Sequence, residues 1–336
     1  MANSKNAKKY ITEDYTLTYI VRKIKNKSYA IISGIENISF KKNNQLIIPS
    51  KIEDLNVYSI GKNAFIDISE IKDVVIEDGV QVVGPGAFSN CGKLQNITFP
   101  KSVKKIESMA FYLCNNLKTV NFSEGLEEIG VVAFECSGLE DITLPDSLKL
   151  IDDAAFRESK IRSLHIGPNV KCICDSAFSD CNYLTDVTFS EGVTEIHDYA
   201  FRNCYNLKSI QLPNSLFTLG YGVFDYCYSM KSIHIGSELR EFESYRDFAY
   251  KCDSLEKITV SPSNPAFKSI DNVLYDIGDR TLIRVPPNAI NKDIVIPNWV
   301  RQLASCCFDG VNINKLIIKT IHDIGNIGDT NFGGAE

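Results

Sequence analysis

The chain has 336 residues, 44% of them apolar and 23% charged, with a formal net charge of −6. That apolar content excludes a disordered chain, and the lack of any concentrated basic block excludes nucleic acid or an anionic membrane as the main partner. No run approaches the roughly 18 apolar residues of a membrane span, so no membrane insertion is expected.

In chain order, residues 1–9 are polar and basic with no apolar stretch behind them, so a disordered tail and no secretory leader are expected. Residues 10–57 predict an N-terminal β cap. Within it 15–21 and 29–32 read as strands, Lys25-Asn26-Lys27 as their turn, and Leu46-Ile47-Ile48-Pro49 as the start of the first coil.

From 58 to 260 one pattern repeats. Phe65, Phe88, Phe111, Phe134, Phe156, Phe178, Phe201 and Phe224 follow one another in steps of 22 or 23 residues. Aligned on that ring, each copy reads L-x-x-I-x-I/F-P-x-x-V-x-x-I-G-x-x-A-F-x-x-C. The clearest copy runs Leu94, Ile97, Phe99, Pro100, Val103, Ile106, Ala110, Phe111, Cys114. The L-x-x-I-x-I segment alternates as a short strand does. The Pro or Gly after it turns the chain, and the second apolar pair leads back across a core. An isolated coil buries too little apolar surface to offset the ordering of its backbone, so coils must stack. The pattern predicts a repeat solenoid, mainly β.

Cys91, Cys114, Cys136, Cys181, Cys204, Cys227 and Cys252 fall just after the repeat Phe. They read as a ladder of small buried side chains, reduced rather than paired, because the total of eleven is odd. Asn26, Asn37, Asn96 and Asn121 match N-x-S/T and read as chance matches.

Residues 261–293 break the period and predict a β-hairpin insert: 267–275 and 281–285 as strands around Asp276-Ile277-Gly278-Asp279, after the turn-rich Ser261-Pro262-Ser263-Asn264-Pro265. Over 294–336 the repeat resumes at Ile294-Val295-Ile296-Pro297, with Val300, Leu303 and Phe308 in register. Ile313, Leu316 and Ile318 make a next strand, and the pattern wears out at Ile324-Gly325 and Phe332.

The I-G-x-x-A-F-x-x-C motif (Ile60-Gly61 with Ala64-Phe65, Ile129-Gly130 with Ala133-Phe134), the strand-Pro step and the insert with its Arg284-Val285-Pro286-Pro287 exit resemble the BspA-like, Treponema-type leucine-rich repeats over about residues 15–320. The resemblance implies a right-handed leucine-rich-repeat superhelix with a parallel strand face. It also implies a cell-surface or secreted protein that adheres to host proteins or other cells; a cytoplasmic location is the alternative left by the missing leader. Glu107, Asp152, Cys174, His197 and Glu243 stand where the family usually has Gly, so the turn there need not be left-handed.

In each strand the third and fifth residues should face outward on one continuous sheet. Along the fifth position run Asn121, His165, Thr188, Gln211 and His234, a polar, hydrogen-bonding row. Eight of the fifteen tyrosines lie within 183–250, with Tyr205 and Tyr228 at one repeat position and Tyr183 one residue later in its coil. These eight residues, Asn121, His165, Thr188, Gln211, His234, Tyr183, Tyr205 and Tyr228, form the candidate partner-binding set. The ligand class is protein or glycan, such as host matrix or another cell surface.

No catalytic motif occurs in a supporting context. His165 and His234 lie three coils apart, about 14 Å at ordinary strand spacing, too far to share a metal. Ile173 takes a buried repeat position between Cys172 and Cys174, and Cys306-Cys307 takes the small-residue slot before Phe308. No catalytic residue, cofactor or metal is expected. The sequence predicts a non-catalytic binding protein, with an intracellular protein–protein scaffold as the alternative.

Overall fold

The computed structural model of the protein describes residues 7–39, 44–244, 248–289 and 293–319. The readings made for Tyr245, Ile324-Gly325, Phe332 and residues 1–6 lie outside them. Among the described residues, strands and turns carry the fold and there is no helix. Among these residues no helix is therefore long and apolar enough to cross a membrane. The chain divides into two compact units, Met1–Ile161 and Arg162–Glu336, each a mainly-β parallel solenoid.

In the first unit Thr16–Ile24 and Lys27–Glu36 form an antiparallel hairpin about Lys25-Asn26. Lys8 and Lys9 are in strand rather than in a tail: Lys8–Ile11 pairs antiparallel with Thr16–Ile24. The reason is local, since the Thr12 hydroxyl accepts the N–H groups of Asp14 and Tyr15 and folds the chain back at that point. Lys27–Glu36 then pairs in parallel with Leu55–Ile60. Two-residue rungs follow at Val82–Val83, Lys105–Ile106, Glu128–Ile129 and Leu150–Ile151. Opposite the rungs, Gln45–Ile48, Asp73–Ile76, Asn96–Thr98 and Thr119–Asn121 form a parallel sheet. Each coil thus supplies one longer and one shorter strand, with the alternate apolar residues turned between them.

The repeat phenylalanines are the spine of that interior. Their rings stack 4.9 Å apart at Phe65–Phe88, 5.3 Å at Phe88–Phe111, 5.0 Å at Phe111–Phe134 and 5.4 Å at Phe134–Phe156. In the second unit Phe178–Phe201 and Phe201–Phe224 stack at 5.5 and 6.2 Å. All eleven cysteines are free thiols. In five coils the thiol donates to the carbonyl of the previous coil's Phe, as Cys204 Sγ does to Phe178 O at 3.3 Å. Burial pushes these thiols up, to about 12 for Cys91 and Cys252.

Cys136 departs from the expected ladder. It comes two residues after its Phe instead of three, and buried Ser137 takes the ladder slot, as Ser159 does in the next coil. Cys136 is half-buried in a left-handed turn with its thiol 3.4 Å from Glu158.

The left-handed residue is also displaced from where the family pattern suggests. Gly61, Gly84, Gly130 and Gly220 do not have positive φ; the positive-φ position is two residues later, at Asn63, Gly86, Met109, Val132, Ala154, Ser176, Tyr199, Gly222 and Cys306. At Gly84 the need is for space, since a Cβ there would meet Ile60 O at 2.5 Å. Cys306 therefore occupies a left-handed slot, and buried Cys307 alone takes the small-residue slot.

The second unit stacks Ser163–Ile166, Asp186–Phe189, Ser209–Gln211, Ser232–Ile235 and Lys257–Val260 in parallel. The rungs Cys172–Ile173, Glu195–Ile196, Thr218–Leu219 and Glu241–Phe242 lie opposite. The expected strand over 267–275 is two strands, Phe267–Ile270 and Val273–Asp276, joined antiparallel. Asp271 and Asn272 make the turn at φ 52° and 68°, the paired left-handed geometry of a tight hairpin. Thr281–Arg284 continues the meander and pairs in parallel with Gln302–Leu303, and Asp293–Ile296 pairs with Lys315–Ile318. Arg284 is buried there, its Nη1 donating to Cys306 O at 2.6 Å. Nearby, buried Asp309 takes an ion pair from Lys251 at 3.2 Å.

The strand row does not run as one sheet. Residues 142–144 keep the in–out alternation without forming a strand, and the row belongs to two sheets, Gln45–Ile48 through Thr119–Asn121 and Ser163–Ile166 through Lys257–Val260. The chain is one residue shorter just before this segment, where Ser137 to Leu139 takes two steps against three from Cys114 to Leu117.

Candidate functional site

The second unit carries seven of the eight candidate residues, four of them on its strand sheet. Leu164, Val187, Ile210, Ile233 and Ile258 point into the core. The residues after them therefore face outward. His165, Thr188 and Gln211 are exposed and His234 and Thr259 half-buried. Register sets His165 beside Thr188, and Gln211 beside His234 and then Thr259. His165 Nδ1 lies 2.9 Å from Thr188 Oγ1 and its Nε2 3.2 Å from Ser190 Oγ. His234 Nδ1 lies 2.9 Å from Thr259 Oγ1. Both imidazoles therefore tie one strand to the next while leaving an edge to solvent. Asn121 is exposed on the sheet of the other unit, beside Thr98, and is not brought together with these residues by any shared sheet.

The tyrosines separate into two groups. Tyr183, Tyr205 and Tyr228 are 56%, 39% and 42% exposed, at the turn that feeds each strand. Tyr205 and Tyr228 lie side by side with ring centroids 5.3 Å apart. Tyr199, Tyr221, Tyr226 and Tyr250 are half-buried and hold adjacent coils together. Tyr199 meets Tyr221 edge-on at 5.2 Å, and Tyr226 meets Tyr250 at 5.6 Å. The Arg202 guanidinium lies over both Tyr199 and Tyr226, at 5.2 and 5.5 Å. Arg202, which the sequence reading passed over, thus fixes Tyr226, whose ring in turn packs 6.2 Å from Tyr228. Its signal was visible only as a cation three residues after one Tyr and one coil before another.

The turn side of the site is therefore rigid beneath and aromatic above, and the sheet side is a row of hydrogen-bonding groups. Such a surface offers area and polar contacts to a macromolecule. Cys172, Cys174 and His197 meet on the opposite, short-rung sheet of the same unit.

Comparison with solved structures gives a leucine-rich repeat protein from Bacteroides ovatus at 22% identity and TM-score 0.60, covering 92% of this chain and 90% of that one. A leucine rich cell surface protein from Faecalibacterium prausnitzii aligns at 23% identity and TM-score 0.56, covering 95% and 72%. The T. pallidum leucine rich repeat protein aligns at 26% identity and TM-score 0.50, covering 63% and 87%. No curated protein matches. The BspA type leucine rich repeat region matches residues 35–161 and 149–275 in six copies. With most of its length so matched and each unit folded as stacked short-strand coils, the chain belongs to the BspA type leucine-rich repeat family.

Proposed function

We propose that this protein is a non-catalytic binder that recognises a protein, or a glycan, through the strand face of its second unit and the tyrosine-bearing turns beside it. Its setting in this reading is a cell surface, in adhesion or host interaction. The observation that carries the reading is the exposure of Tyr183, Tyr205 and Tyr228 at the rim of a polar sheet. Rigid aromatic rings cover contact area at low entropic cost, and they rank among the residues that dominate interface energies. The half-buried Tyr and Arg202 beneath them support pre-organisation of that rim. The test is an array of matrix proteins, cell-surface proteins and glycans probed with the purified chain, followed by the triple variant Tyr205→Ala, Tyr228→Ala, His234→Ala. The reading expects a tenfold or greater loss for the partner found; a variant that binds every hit like the parent overturns it.

A second reading, an intracellular protein–protein scaffold, is favoured by the eleven free thiols, which suit a reducing compartment. Alkylation of the protein in intact cells, before and after reductant, separates the two settings.

A further inference from the structure

The geometry points to a site for one divalent cation of zinc-like character on the short-rung sheet, built from Cys172, Cys174 and His197 with Glu195 beside them. It stands apart from the strand-face reading and uses none of its residues. Cys172 pairs with Glu195 and Ile173 with Ile196 across neighbouring rungs. Ile173 and Ile196 are fully buried, so the residues flanking each of them turn outward together. Two thiols from one coil and an imidazole from the next then converge.

The distances are those of a coordination shell. Bonds of about 2.3 Å to sulfur and about 2.0–2.1 Å to nitrogen or oxygen set tetrahedral edges of about 3.8 Å for S–S, about 3.5 Å for S–N and about 3.3 Å for N–O. Cys172 Sγ is 3.8 Å from Cys174 Sγ and 3.3 Å from His197 Nε2. All three ligand atoms lie within 4.8 Å of one another. Glu195 Oε2 is 3.2 Å from the same His197 nitrogen; its exposed side chain completes the shell by rotation, or leaves the fourth place to water. Asp175 Oδ1 lies 3.9 Å from His197 Nδ1, on the far side of the ring.

The repeat does not require these residues. At the equivalent positions the other rungs carry Lys105 and Glu107, Glu128 and Gly130, Leu150 and Asp152, or Thr218 and Gly220. Two thiolates and an imidazole select a borderline-soft ion over magnesium or calcium. Binding breaks two S–H bonds, forms two metal–sulfur bonds and releases two protons, so apparent affinity rises with pH.

The test is titration of the full chain, kept reduced with a phosphine, using Co2+ as the probe and Zn2+ as competitor. The expected result is one equivalent bound with the visible bands of four-coordinate cobalt and a thiolate-to-cobalt charge-transfer band. Zn2+ abolishes both and raises the thermal unfolding midpoint. Cys174→Ser and His197→Ala each weaken binding at least tenfold, while Cys136→Ser, in the other thiol–carboxylate cluster with Glu135 and Glu158, leaves it unchanged. Absence of stoichiometric binding by the parent chain, an oxygen-ligand spectrum lacking the charge-transfer band, or a spectrum retained in both variants overturns the assignment.

Discussion

Removing one ring from the middle of the phenylalanine stack should cost more than removing the same ring from its end. Phe111 is fully buried, stacked on Phe88 at 5.3 Å and on Phe134 at 5.0 Å, and edge-on to Phe99 at 5.9 Å. A buried Phe→Ala change costs about 3–5 kcal/mol through lost transfer energy and the cavity left behind, and each aromatic pair adds about 0.5–1.5 kcal/mol beyond area. Three ring partners put Phe111→Ala near the top of that range, about 5 kcal/mol. Phe65, equally buried, stacks on Phe88 alone at 4.9 Å among the described ring contacts of the ladder. Its replacement by Ala should therefore cost about 1 kcal/mol less. Urea unfolding followed by circular dichroism gives the two values, and amide exchange shows whether the loss centres on the coils touching residue 111, as nearest-neighbour stacking requires. A cost below about 2 kcal/mol for Phe111→Ala, or exchange that rises evenly through both units, would refute the stacking argument.

Other expectations concern the thiols, the turns and the buried charges. The raised folded pKa of buried thiols such as Cys91, from 9.0 to about 12, means their contribution to stability is intact below pH 9 and is lost as pH climbs toward 12. Each such thiol should add about 1.4 kcal/mol per pH unit to the alkaline slope; Cys204→Ser with Cys227→Ser should flatten it, as read by urea midpoints across that range. Tyr205→Ala and Tyr228→Ala should change stability by less than about 1 kcal/mol, because both rings lie at the exposed rim outside the core, while reducing partner binding tenfold or more; calorimetry and surface binding read the two effects. Lys251→Met strips the cation from Asp309, which is 0% exposed, and should cost about 2–3 kcal/mol in a urea titration; a change under about 0.5 kcal/mol would show that the pair adds nothing to stability.

The repeat was legible because a stacked interior needs the same ring at the same place in each coil, and Phe65 through Phe224 supply it in sequence. Outward placement of His165, Thr188 and Gln211 followed from strand alternation alone. What failed to show was whatever depends on backbone detail or on register between coils. Asp271-Asn272 is a hairpin turn inside 267–275, a stretch that reads as a single strand. Cys136 looked like its neighbours until its one-residue offset put it in a left-handed turn. The tyrosines looked like one cluster, yet only contacts between coils separate Tyr226 and Tyr250 from the exposed Tyr205 and Tyr228. His197 carried no signal toward Cys172, twenty-five positions away, because that proximity exists only once Glu195–Ile196 is laid beside Cys172–Ile173.

The most direct measurement is a hydrogen–deuterium exchange footprint of the chain with its partner bound. Recognition through the strand face predicts slowed exchange over the turns bearing Tyr183, Tyr205 and Tyr228 and over Ser209–Gln211 and Ser232–Ile235. Protection confined to the short rungs Glu195–Ile196 and Thr218–Leu219, with those turns unchanged, would contradict it.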